Sequence, residues 1–221
     1  MRIEELTLYT RQLEAQRHFY TEVLEFEPLA AKEDEIAYQI GATTLRFVRR
    51  QEATPYHFAV NIPVNKEREA LSWLRERVDI LKDGDREIQD FSAWNAKAIY
   101  FYDADRNIVE FIARKNLKNA QAEPFSSQSL LEISEIGLAS ANLPEKVRFL
   151  TEKIGLDIYS GDLERFCAVG SETGLFICID RNLKDWFPTG DKAYASAFVA
   201  KVAVNGRKYK LVFEDERTTI F

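Results

Sequence analysis

The stretch ELTLYTRQLEAQRHFYTEVLEF, beginning at Glu5, returns without a gap from Glu135 as EIGLASANLPEKVRFLTEKIGL, at a constant offset of 130 residues (135 minus 5). The offset places Leu8 on Leu138, Leu13 on Leu143, Phe19 on Phe149, Thr21 on Thr151 and Glu22 on Glu152. Self-similarity of this kind dictates a repeated supersecondary unit that buries its apolar face only against its neighbours. Within each copy a short alternating stretch precedes a helical one. Leu6 and Leu8 alternate with Glu5, Thr7 and Tyr9 as in a half-buried strand. Leu13, Tyr20 and Leu24, widened by Phe19 and Val23, then line one face of a helix. Leu143, Val147, Leu150 and Ile154 repeat that face, and Gly155 is placed to end it.

Strands follow each helix. Glu35–Ile40 and Thr43–Arg49 flank Gly41 and Ala42 as a hairpin. A second strand, helix, strands pattern starts at Tyr56: HFAVNI alternates, Lys66–Val78 is helical, and AIYFYD and NIVEFIA form a hairpin about residues 104–106. Residues 130–181 give a third unit. Residues 195–204 open a fourth, but Asn205 and Gly206 lead straight into another strand and leave no room for a helix. The expected fold is therefore α+β: tandem βαβββ modules forming cupped mixed sheets, with a degenerate fourth module. Residues 1–116 are expected to form an N-terminal lobe of two modules, 117–129 a polar linker and 130–221 a degenerate C-terminal lobe.

Composition narrows the function classes. A net charge of −6, with no basic stripe interleaved with aromatics, argues against a nucleic-acid partner. No charge run suits an anionic membrane, no apolar stretch approaches the roughly 20 residues a span requires, and MRIEEL makes no signal peptide. A cytoplasmic protein with a small-molecule partner is expected. Cys167 and Cys178 are expected in adjacent strands as reduced, buried thiols.

Taken together, the βαβββ units, LEAQRHFYTEVLEF after the first strand, PYHFAVNI and above all FYDADRNIVEFIAR resemble the vicinal oxygen chelate superfamily, which includes glyoxalases, bleomycin and fosfomycin resistance proteins and extradiol dioxygenases. The resemblance covers the first two units well and the C-terminal half weakly. It implies a divalent metal in a cup built from two modules, ligated from the first and fourth strands. Carried over by position, it implies Glu5, His57 and Glu110 as metal ligands, with Arg46 at a position where glyoxalases often place a carboxylate or carboxamide. One imidazole and two carboxylates suit Mn, Fe, Zn or Mg with positions left for a bidentate substrate.

The resemblance implies Lewis-acid chemistry on a small substrate that chelates through neighbouring oxygens, with Glu110 or Glu5 as base. Lyase, isomerase, transferase and dioxygenase reactions all fit that description. Arg46 would hold a substrate anion, and Tyr9, Asn61, Tyr100 and Tyr102 would complete the pocket. Alternation supports part of this, since His57, Ala59 and Asn61 share one strand face, and Glu110 stands between Ile108 and Ile112 on an otherwise apolar one. The bland reading is a metal-free binding or resistance protein in which Glu110 pairs with Arg46, His57 is a core histidine and the tyrosines pack a sheet. Because units of this fold also pair across chains, a homodimer is a second way of assembling the site.

Overall fold

The computed structural model describes residues 1–221. The first unit comprises β1 (Arg2–Thr10), α1 (Leu13–His18), β2 (Pro28–Ala31), β3 (Glu35–Ile40) and β4 (Thr43–Arg49). The second comprises β5 (His57–Ile62), α2 (Glu67–Arg75), β6 (Ile80–Leu81), β7 (Gln89–Phe91), β8 (Ala96–Tyr102) and β9 (Ile108–Arg114). In the third are β10 (Glu132–Ser140), α3 (Leu143–Phe149), β11 (Ile158–Gly161), β12 (Phe166–Ser171) and β13 (Gly174–Asp180). The fourth has only β14 (Phe198–Val204), β15 (Arg207–Glu214) and β16 (Arg217–Ile220), with no helix. Both repeat helices run on into a π-helical turn, Phe19–Val23 and Leu150–Ile154, in which the repeat-related Tyr20 and Leu150 are buried.

The units do not pair in chain order. One seven-stranded sheet runs β16-β15-β14-β1-β4-β3-β2, and the other runs β11-β12-β13-β10-β5-β9-β8-β6 with β7 also on β8. Antiparallel β1–β14 joins the first unit to the fourth, and antiparallel β5–β10 joins the second to the third. Units one and two, expected to share a cup, therefore lie in different sheets, and each sheet draws one unit from each half of the chain. The physical reason is edge satisfaction. The first strand of each unit has an open edge that must find backbone partners. Residues 115–131 return β10 directly beside β5, which leaves β1 to be closed by β14.

Strand alternation sorts the core. Phe58, Val60, Ile62, Phe111, Ile136, Leu138 and Phe176 face the main core, which they share with Leu6, Leu8 and Phe47 of the other sheet and with the helices. Ala59, Ile108, Ile112, Ala139 and Ile177 face the opposite side, where a smaller apolar cluster forms with Tyr100 and Trp186. The predicted hairpin at Gly41 is present, and Gly41 has no substitute: at φ +52° it lies so close to Leu131 that a Cβ would meet the Leu131 carbonyl oxygen at 1.8 Å. Cys167 and Cys178 are opposite one another on β12 and β13 and are both free and buried. Burial raises both thiols above their ordinary range, which keeps them unreactive. No helix is long and apolar enough to cross a membrane.

Candidate metal centre

One row of residues across the nine-stranded sheet builds the site. Glu135 of β10 is opposite Ala59 of β5, Ala59 is opposite Glu110 of β9, and Glu110 is opposite Tyr100 of β8. All four side chains project from the same face, and the small Ala59 leaves room between the two glutamates. His57 stands two residues from Ala59 on that face. A β-bulge between Ile133 and Glu135 precedes the row, and the repeat-related bulge between Ile3 and Glu5 precedes its counterpart in the other sheet. Bulges of this kind re-aim a side chain and recur beside functional sites.

The three groups converge. His57 Nε2 lies 3.5 Å from Glu110 Oε2 and 4.0 Å from Glu135 Oε2. One ligand atom from each of the three residues lies within 4.8 Å of the other two. The His57–Glu110 separation matches the edge between two ligands sharing one ion, about 3 to 3.5 Å for bonds near 2.1 Å, and the Glu135 oxygen stands further off and would move inward to join them. His57 Nδ1 is 3.3 Å from the Ile108 carbonyl, which can only accept, so that nitrogen carries the proton and Nε2 turns its lone pair toward the carboxylates. Burial lowers the imidazole to about 4 and keeps it neutral. Burial also pushes both glutamates above the usual carboxylate range. Glu110 moves further because the Glu135 charge adds to its burial, while Arg114 pulls both back down.

Arg114 is fully buried and supports the cluster from behind. It donates through Nη2 to Glu135 Oε1, and through Nε to Asn61 Oδ1 at 3.2 Å. A neutral imidazole with a free lone pair and two converging carboxylates, one of them oriented by a buried guanidinium, is a donor set that fits a divalent cation.

Of the residues expected from the sequence, the structure brings together His57, Glu110 and Tyr100. Glu5 lies in the seven-stranded sheet, 3.1 Å from Lys201 and 3.8 Å from Arg46, and Arg46 is also 3.1 Å from Glu35. Arg46 therefore pairs with Glu5 and Glu35 and does not reach Glu110, and the arginine of the cluster is Arg114. Strand register explains the exchange. Thr7 is opposite Arg46 as Ala59 is opposite Glu110, so Glu5 and Arg46 occupy the equivalent places in a sheet that holds ion pairs there. The residue that joins His57 and Glu110 is Glu135, the repeat mate of Glu5. Asn61 reaches the site only through Arg114, Tyr9 lies under Arg50 in the other sheet, and the Tyr102 hydroxyl bonds Asp191.

A cavity of about 350 Å³ opens above the cluster, walled by Phe91, Trp94, Tyr100, Phe166, Trp186 and Phe187. Trp186 comes from the segment that joins β13 to β14, and its ring centroid is 5.0 Å from that of His57. Gly137 makes this possible, since a Cβ there would fall 2.7 Å from the Trp186 ring. Gly137→Ala is expected to displace that ring, shift tryptophan emission and cost about 1–3 kcal/mol in urea unfolding. Wild-type emission together with wild-type stability would rule out the packing described.

No protein-family model matches the sequence, and no curated protein matches it. Solved structures do match. A Bacillus subtilis protein provisionally described as a dioxygenase aligns over 100% of this chain and 84% of its own, with TM-score 0.64 and 13% identity. A glutamate-to-glutamine mutant of glyoxalase I from Zea mays aligns over 80% of this chain and 66% of its own, with TM-score 0.54 and 14% identity. The chain has the fold of the vicinal oxygen chelate superfamily, built from three helix-containing units, the second with one extra short strand, and a fourth without a helix.

Proposed function

We propose that this protein is a metal-dependent enzyme that acts on a small substrate with two neighbouring oxygens, and that His57, Glu110 and Glu135 hold the divalent ion. The observation that carries this reading is the convergence of three buried ligand atoms at the floor of an aromatic cavity. When bound, the ion would supply Lewis-acid stabilisation of negative charge developing on a substrate oxygen. The protein groups have separable roles. Arg114 fixes Glu135 and offsets its charge, and the Ile108 carbonyl fixes the His57 tautomer. Glu110 has no guanidinium of its own. Of the two carboxylates it is therefore the one free to leave the ion, take a proton from the substrate and return it. The aromatic walls exclude water from the reacting atoms.

A second reading, a metal-free binding protein, rests on one observation: the Arg114–Glu135 pair offsets one buried carboxylate without an ion, and burial disfavours charge on the other. Elemental analysis of protein purified without an affinity tag and reconstituted with Mn²⁺, Fe²⁺ or Zn²⁺ separates the two. Stoichiometric metal is expected in the native protein and in Glu5→Ala, and none in His57→Ala or Glu135→Ala. A native protein that retains no metal would favour the binding reading.

A further inference from the structure

The segment between β13 and β14, residues 181–197, places three side chains on the cavity: Lys184, Trp186 and Phe187. It is fastened at several points. Trp186 N donates to Asp191 O at 2.8 Å, the Asp191 carboxylate accepts from the Tyr102 hydroxyl, and Ser196 Oγ donates to the Pro55 carbonyl at 2.7 Å. Lys184 is the one cationic side chain lining the cavity, and its ammonium lies 5.9 Å from the Phe166 ring centroid. It takes part in none of the ion pairs of the chain.

The charge balance of the cavity then has a direction. Two glutamates are offset by Arg114 and, on the reading proposed above, by a divalent ion, which leaves surplus positive charge. Lys184 adds to that surplus within walls that are otherwise apolar and aromatic, where a charge interacts more strongly than in water.

We propose that the substrate is a flat, ring-containing organic acid whose anionic group pairs with Lys184 while its two neighbouring oxygens face His57, Glu110 and Glu135. The proposal rests on the metal reading. It makes Lys184 a specificity residue, contributed by the segment that stands where the incomplete fourth unit begins. Phe91, Trp94, Phe166 and Phe187 supply faces and edges for the ring.

The test uses the meta and para isomers of carboxybenzohydroxamate, each against its uncharged carboxamide, titrated by quenching of tryptophan fluorescence in the Mn²⁺-loaded protein. One carboxylate isomer is expected to bind on the order of tenfold more tightly than its carboxamide. Lys184→Met should erase that preference and Lys184→Arg should keep it. Equal binding of carboxylate and carboxamide by the native protein, absence of binding by either, or a preference that survives Lys184→Met would overturn the proposal. The same titrations after chelation of Mn²⁺ report on the metal reading separately. Affinities that do not depend on Mn²⁺ would overturn that reading, while the comparison between carboxylate and carboxamide would still decide the role of Lys184.

Discussion

Arg114→Met is expected to lower the free energy of unfolding by about 3–5 kcal/mol, the usual cost of removing one partner from a buried ion pair. The guanidinium is fully buried, joins Asn61 to Glu135 and has its carbon 5.5 Å from the Trp94 ring centroid. Without it, Glu135 faces Glu110 with no compensating charge in the metal-free protein, the form to be unfolded, and Asn61 loses the donor to its side-chain oxygen. Adding Glu135→Gln to the variant should restore part of the loss, because the stranded charge is then gone; such recovery is the mark of coupled sites. Urea midpoints at constant slope would measure both effects. A single-variant loss below about 1 kcal/mol would mean that the pair is solvated in solution.

Asp103→Ala is expected to cost a similar amount, about 4 kcal/mol, in the turn between β8 and β9. The Asp103 carboxylate accepts from Gln16 Nε2 at 2.8 Å, Asn107 Nδ2 at 2.8 Å, the Tyr20 hydroxyl at 3.1 Å, and the backbone amides of Asp105 and Asn107 at 3.0 Å each. Gln16 and Tyr20 belong to the first unit and Asp103 to the second, so this one carboxyl ties the two sheets together. Each buried donor left without an acceptor costs about 1–3 kcal/mol. Burial is the largest influence on this carboxyl and raises it to about 6, with the donors opposing. Between the ordinary value of 3.8 and about 6 the folded protein binds more protons than the unfolded chain, so wild-type stability from this group falls as pH rises through that window. The gap between wild type and Asp103→Ala should therefore be widest near pH 4 and narrow as pH passes 6. A gap that widens instead would show that the donors outweigh burial.

Much of the architecture is legible in the residues because it rests on local patterns. Alternation in HFAVNI and NIVEFIA places His57 and Glu110 on one face of neighbouring strands, and the absence of a helix after Val204 follows from the Asn205–Gly206 turn. The partner of each unit is not a local property. Two first strands with similar edges can pair in more than one way, and the choice between β1 beside β5 and the observed β1 with β14 and β5 with β10 is settled by packing across the whole chain. That one ambiguity moves Glu5 out of the cluster and brings in Glu135, although the repeat already equates them. Trp186, Phe187 and Lys184 lie in a segment with no periodicity, and Arg114 reads in sequence as the charged end of a strand.

The β5–β10 pairing has a further consequence for how the chain assembles. Asn61 meets Glu132, 71 residues on, whereas closing the other sheet brings Arg2 to Ala203, 201 residues on (203 minus 2). By loop-closure entropy the second event costs about 0.9 kcal/mol more if both loops are flexible. The central half of the chain, which holds His57, Glu110 and Glu135, is thus expected to condense first, with the outer units fastening afterwards as a clasp. Substitutions in β14 to β16 should then act mainly on how fast the clasp opens and leave the order of assembly unchanged.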